Sequence, residues 1–91
     1  MTHFLRKNNT NIFEADASEK DFTTYVYVKG FSNHLLSLKE EKQKLLVDRI
    51  YDLQWLREKW WTEKQTFTLN KFLQTHFTRV AKELELEYVV D

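Results

Sequence analysis

Apolar residues recur along this chain with two different periods, and the places where one period gives way to the other divide it into elements. From Ser37 onward a step of ~100° per residue gathers Leu38, Leu45, Leu46, Ile50, Leu53, Leu56 and Trp60 on one broad stripe. The spacing predicts a long helix running to about Thr62. Ser32 or Ser37 can cap its start, and Ser37-Leu-Lys-Glu40 has the reciprocal arrangement in which hydroxyl and carboxylate each satisfy an orphan backbone N–H. Lys42, Arg49 and Arg57 fall inside the stripe, where long side chains lay their methylenes on apolar neighbours and keep the charge in water.

A second helix follows. Leu69, Phe72, Leu73, Phe77, Val80, Ala81 and Leu84 keep the i, i+3, i+4, i+7 rule, and Thr66 or Thr68 can cap it. The closing ELELEYVVD then alternates, with Leu86, Tyr88 and Val90 on one side and Glu85, Glu87 and Val89 on the other. Alternation of this kind predicts a strand. Upstream, FTTYVYVKG is rich in β-branched and aromatic residues and ends at Gly30, which predicts another strand. Its Val26 and Val28 lie on one face, Tyr25 and Tyr27 on the other. NIFEA, from Asn11, reads as a short strand, and ASEKD supplies the turn after it. The first eleven residues, MTHFLRKNNTN, show no periodicity and read as a mobile N-terminal arm.

These elements combine into an α+β fold: a small antiparallel or mixed sheet, made of an N-terminal strand or hairpin plus the C-terminal strand, packed against a long helix and a second amphipathic helix. At 91 residues the chain, 1–91, is a single domain that buries roughly 60 to 65 per cent of its unfolded surface.

Composition sharpens this picture in three places. Proline is absent and glycine occurs once, so long elements joined by short polar turns are expected. Without cysteine there is no disulfide framework, thiol nucleophile or zinc–thiolate site, and the fold rests on packing. That, with no apolar run near the ~20 residues needed to span a bilayer and none behind a basic start, leads to the expectation of a cytoplasmic chain without membrane contact. Fourteen basic and fourteen acidic side chains balance to a formal net charge of +0, which removes the main argument for general nucleic-acid binding.

Catalytic chemistry finds little support. His3, His34 and His76 lie far apart and form no recognised ligand spacing. His76 falls among Leu73, Phe77 and Val80, as a satisfied, partly buried imidazole would. His34 is placed near a helix start. Asp48 and Asp52 share a polar helix face, and no glycine-rich phosphate loop or nucleophile elbow is present. The expectation is a non-enzymatic module without cofactor or metal.

Recognition of another protein fits better. Tyr51 and Trp55, one helical turn apart, fall outside the main apolar stripe beside Lys44, Asp48 and Lys59. Rings at that spacing offer large contact area for little side-chain entropy. Arg57 and Trp61 extend the candidate partner-binding set of Tyr51, Trp55 and Lys59, while Trp60 belongs to the core stripe. A homodimer through this face and strand addition at a sheet edge are companions to that reading. The alternative is a nucleic-acid-binding regulator, in which Lys71, Gln74, Thr78, Arg79 and Lys82 of the second helix, with Lys64 before it and Asn70 near base edges, contact a duplex. Glu83, Glu85, Glu87 and Asp91 crowd the same region and repel phosphate.

Overall fold

The computed structural model describes residues 1–17, 22–56, 58–59 and 69–91. Its elements run β1 (Thr2–Lys7), β2 (Thr10–Ala17), β3 (Phe22–Val26), α1 (Val28–Ser37), α2 (Glu40–Gln54), α3 (Leu69–Leu84) and β4 (Glu87–Val90). All strand pairings are antiparallel, in the spatial order β3-β2-β1-β4. The α+β expectation holds: α1 rests on β2, α2 reaches β3, and α3 crosses β1, β2 and β4.

The segment expected as a mobile arm is an interior strand instead. Its alternation was disguised, because the buried positions of β1 are His3 and Leu5 while Phe4 faces outward beneath the Arg6 guanidinium, 5.2 Å from the ring centroid. His3 is buried by being satisfied on both sides. Its Nε2 lies 3.1 Å from Asn70 Oδ1 on α3 and its Nδ1 2.6 Å from the Tyr88 hydroxyl on β4. With the carboxamide oriented so, Nε2–H donates and Nδ1 accepts from the tyrosine. The chain start is pinned further by Ala17 N–H to Met1 O at 2.9 Å and by paired bonds between Thr2 and Asp91.

Asn8 and Asn9 turn β1 into β2 with φ of 52° and 62°, the left-handed pair that a two-residue hairpin demands and asparagine tolerates. Between them and the sheet centre the register shifts: Leu5 faces Phe13, but Arg6 faces Asn11. Ile12 is therefore the extra residue of a bulge, so consecutive Ile12 and Phe13 are both buried. The Ile12 carbonyl accepts the N–H of Tyr27 at 2.9 Å, just where β3 has ended.

FTTYVYVKG is thus only partly a strand. Pairing with β2 stops at Val26, and Val28 opens α1 as a 71 per cent exposed residue instead of sharing a strand face with Val26. Tertiary contact overrides β-propensity here. The lone glycine serves that contact: a Cβ at Gly30 would overlap the Asn11 carbonyl oxygen and press on Thr10 Cγ2 at 3.1 Å.

The long helix expected from Ser37 is broken at its start. Leu38 and Lys39 are extended, with ψ of 155° and 156°, and α2 begins at Glu40 with Lys39 as an N-cap lacking a side-chain bond. Ser37 does not form the expected capping box, because its hydroxyl donates backward to His34 O at 2.6 Å. Glu40 and Glu41 in the first turn complement the dipole instead. Leu46, Ile50, Leu53 and Leu56 of the expected stripe are core, with Leu38 and Leu45 packed against it. Trp60 and the expected end near Thr62 lie outside the described residues.

Of the apolar set forecast for the second helix, Leu69 is partly buried and the remaining six are core. Thr66 and Thr68 lie outside the described residues. The C-terminus of α3 closes with Glu85 at φ 55° and Leu86 N–H bonded to Ala81 O at 2.9 Å. This is the six-to-one bond of a left-handed helix stop, and it folds Leu86 onto the core before β4 begins. Phe77, fully buried, meets Phe13 with ring centroids 5.8 Å apart and so joins helix layer to sheet.

Two substitutions test this architecture. Leu5→Ala is expected to lose about 2–5 kcal/mol in urea denaturation, as a core deletion does, whereas a residue on a free arm would change stability by less than about 0.5 kcal/mol. Gly30→Ala is expected to destabilise by about 1–3 kcal/mol through the clash with Asn11, although helix propensity alone forecasts a gain of about 1 kcal/mol.

Candidate binding face on helix α2

Helix α2 has two apolar sides. Leu46, Ile50 and Leu53 face the core, and about half a turn away Val47, Tyr51 and Trp55 recur at i, i+4 and i+8 on the outer side. Their exposures are 44, 59 and 49 per cent. Neither the first strand nor the hairpin covers them, since β1 is committed to the sheet between β2 and β4. The Tyr51 and Trp55 rings lie 6.1 Å apart at 46°, each shielding part of the other, so two adjacent aromatics form one continuous ridge.

Charged residues frame the ridge. Lys44, Asp48 and Asp52 are exposed along α2, and beyond it Glu58 and Lys59 are helical and exposed, their N–H groups donating to Trp55 O at 3.2 and 3.3 Å. A concavity of about 360 Å³ at one end is lined by Leu35, Gln43, Lys44, Val47 and Asp48. At the other end a groove of about 510 Å³ lies between α2 and α3, walled by Trp55, Leu56, Lys59, His76 and Arg79. His76 is half-buried there, edge-on to Phe72 at 4.7 Å, with Arg79 Nη2 3.4 Å from its Nδ1.

Arg49 takes no part in this face. It donates through Nε to Glu83 of α3 and lies 3.5 Å from Asp52, and the Glu83 bond holds its pKa above the ordinary value. A basic residue inside the stripe is here a clamp between helices.

Of the expected partner-binding set, Tyr51, Trp55 and Lys59 are brought together, while Arg57 and Trp61 lie outside the described residues. Of the alternative set, Lys71, Gln74, Thr78, Arg79 and Lys82 are all exposed on α3, and Lys64 lies outside the described residues. Asn70, a candidate for base contacts, has its carboxamide oxygen engaged by buried His3. Arg79 belongs spatially to both sets, since it shares the groove with Trp55 and Lys59. Val47 was missed by the sequence reading, although its i−4 spacing from Tyr51 was there to be seen. His34, expected near a helix start, sits in the last turn of α1 and is buried.

Among the described residues no cluster of three or more His, Cys, Asp or Glu side chains is placed to hold a metal ion, and no helix is long and apolar enough to cross a membrane. Neither family models, curated proteins nor solved structures yield a match to this chain.

Proposed function

We propose that the chain is a non-enzymatic, cytoplasmic protein-binding module, an adaptor, inhibitor or regulatory subunit, that docks a helical segment of another protein along the outer face of α2. The observation that carries this reading is the line of Val47, Tyr51 and Trp55, three exposed apolar side chains on successive turns of one helix. Ridges at i, i+4 and i+8 fit the groove of a second helix, and Trp and Tyr are the residue types on which binding energy concentrates. Alternating charge at the rim, Lys44 to Asp48 and Asp52 to Lys59, suits an amphipathic partner carrying both signs. A second copy of the chain is one candidate partner. Strand addition at β4, an outer strand of the sheet with Val90 exposed, is a subsidiary route.

The nucleic-acid reading has one observation in its favour, the shared exposure of Lys71, Gln74, Thr78 and Lys82 on a single stripe of α3.

One set of variants separates the two readings. Tyr51→Ala combined with Trp55→Ala is expected to keep its unfolding midpoint while losing capture of a protein partner, and self-association if sedimentation detects it in the parent. Lys71→Glu with Lys82→Glu is expected to retain capture. Unfolding of the first pair makes those rings structural and defeats the proposal. Binding of mixed RNA or DNA that strengthens as salt is lowered, and that is lost in the lysine pair, supports the alternative.

A further inference from the structure

The turn of the β1–β2 hairpin and the buried side of α1 enclose a cavity of about 220 Å³, lined by Lys7, Asn8, Thr10, Asn33, His34 and Ser37 among others. It lies apart from the α2 face and shares no lining residue with the concavities there. His34 is only 8 per cent exposed, and its Nε2 is buried without a hydrogen-bond partner. A buried, unpaired ring nitrogen costs about 1–3 kcal/mol unless something fills the need.

The lining is one-sided in charge. Lys7 is its one permanently charged side chain, no carboxylate is present, and Lys7 forms no ion pair among the described residues. The Lys7 ammonium does donate to the Glu85 carbonyl at 3.2 Å, which spends one of its three N–H groups and fixes its position. Ser37 and Thr10 spend their hydroxyl protons on the carbonyls of His34 and Asn8, at 2.6 and 3.5 Å. Lys7, His34 and the carboxamides of Asn8 and Asn33 are therefore the donors left to a guest. Burial, and then the nearby Lys7 charge, push His34 below its ordinary pKa, which favours the neutral imidazole, and its Nε2–H tautomer has one N–H to give.

We propose that this cavity binds a small oxyanion, a phosphate or carboxylate group, between the Lys7 ammonium and the His34 imidazole. A cation is opposed by Lys7. A purely apolar guest leaves the orphan nitrogen unsatisfied. An oxyanion supplies acceptors to donors that line the same cavity.

The test is a titration of the full chain, with histidine side chains labelled with ¹⁵N, against inorganic phosphate, acetate and AMP, with chloride matched for ionic strength. His34 ring resonances are expected to move saturably with phosphate or acetate and to be unmoved by chloride. Tighter binding of AMP than of phosphate identifies the oxyanion as the end of a larger molecule, and equal or weaker binding identifies the free ion. Lys7→Gln, with its amide spectrum otherwise preserved, is expected to weaken binding about tenfold or more, as loss of a charge-assisted hydrogen bond requires. His34→Gln, read through the amide of Asn33, is expected to weaken it similarly. Shifts that never saturate, or that saturate with unchanged affinity in folded Lys7→Gln protein, overturn the proposal.

Discussion

The fold depends on β1 being paired on both edges. An isolated two-stranded hairpin is marginal in water, and the Asn8–Asn9 hairpin becomes part of a stable sheet only when β4 arrives from the far end of the chain and joins His3 to Val90 and Arg6 to Glu87. What delivers β4 is α3. Its left-handed stop at Glu85 reverses the chain directly onto β1, and its inner face packs on the residues that β1 and β2 present, Leu5 and Phe13 among them. Sheet completion and helix docking are consequently one event. The contacts that matter most join the two ends of the sequence, which makes folding slow relative to a helical bundle of this size. The His3 bridge ties all three participants, because its ring bonds touch β4 and α3 while its backbone belongs to β1.

Given that core, the position of α2 follows. It has one apolar stripe to bury and finds cover on one side only, against α3 and the sheet, where the Arg49 bond to Glu83 fixes its pitch. Gln43 Nε2 donates to Leu35 O at 2.9 Å and closes the join to α1. Nothing in the described structure lies over the opposite side. Val47, Tyr51 and Trp55 are each only about half covered in the monomer, and their full burial would require a further layer that this chain does not supply among its described elements.

The legible parts of the sequence are those where local pattern and tertiary role agree. In α3 the apolar period is unbroken and the packing follows it residue by residue. The inner stripe of α2 was legible for the same reason, as was the placing of Tyr51 and Trp55 outside it. The sequence was opaque where burial does not follow hydrophobicity. β1 buries His3 and exposes Phe4 to the outer face, so its alternation carries the wrong letters, and only the Asn-Asn pair marked a turn. The β3–α1 boundary was opaque because Tyr27 and Val28 favour a strand while Gly30 is needed against Asn11. The break at Leu38 and Lys39 carries no proline or glycine. Ser37 and Glu40 have capping-box spacing, but the hydroxyl has a nearer carbonyl in His34.

The two surfaces proposed for binding differ in how they depart from local rules, and the difference bears on how firmly each is held. The α2 face breaks only a burial rule. Val47 and Tyr51 sit on regular helix and Trp55 is its C-cap, so the backbone carries no irregularity there beyond the helix end. The hairpin–α1 junction concentrates irregularities instead: two asparagines at positive φ, a bulge at Ile12, a glycine in helix contact with a carbonyl, and an imidazole nitrogen without a partner. Departures of this density in an otherwise consistent structure are expected where shape serves something besides stability. Each of them also fixes geometry. The turn sets Asn8, the bulge turns the Ile12 carbonyl toward Tyr27, and Gly30 lets α1 come close enough to carry His34 inward. The cavity is thus framed by backbone features of the interior β1–β2 hairpin and of α1, whereas the α2 face is defined by a row of side chains alone.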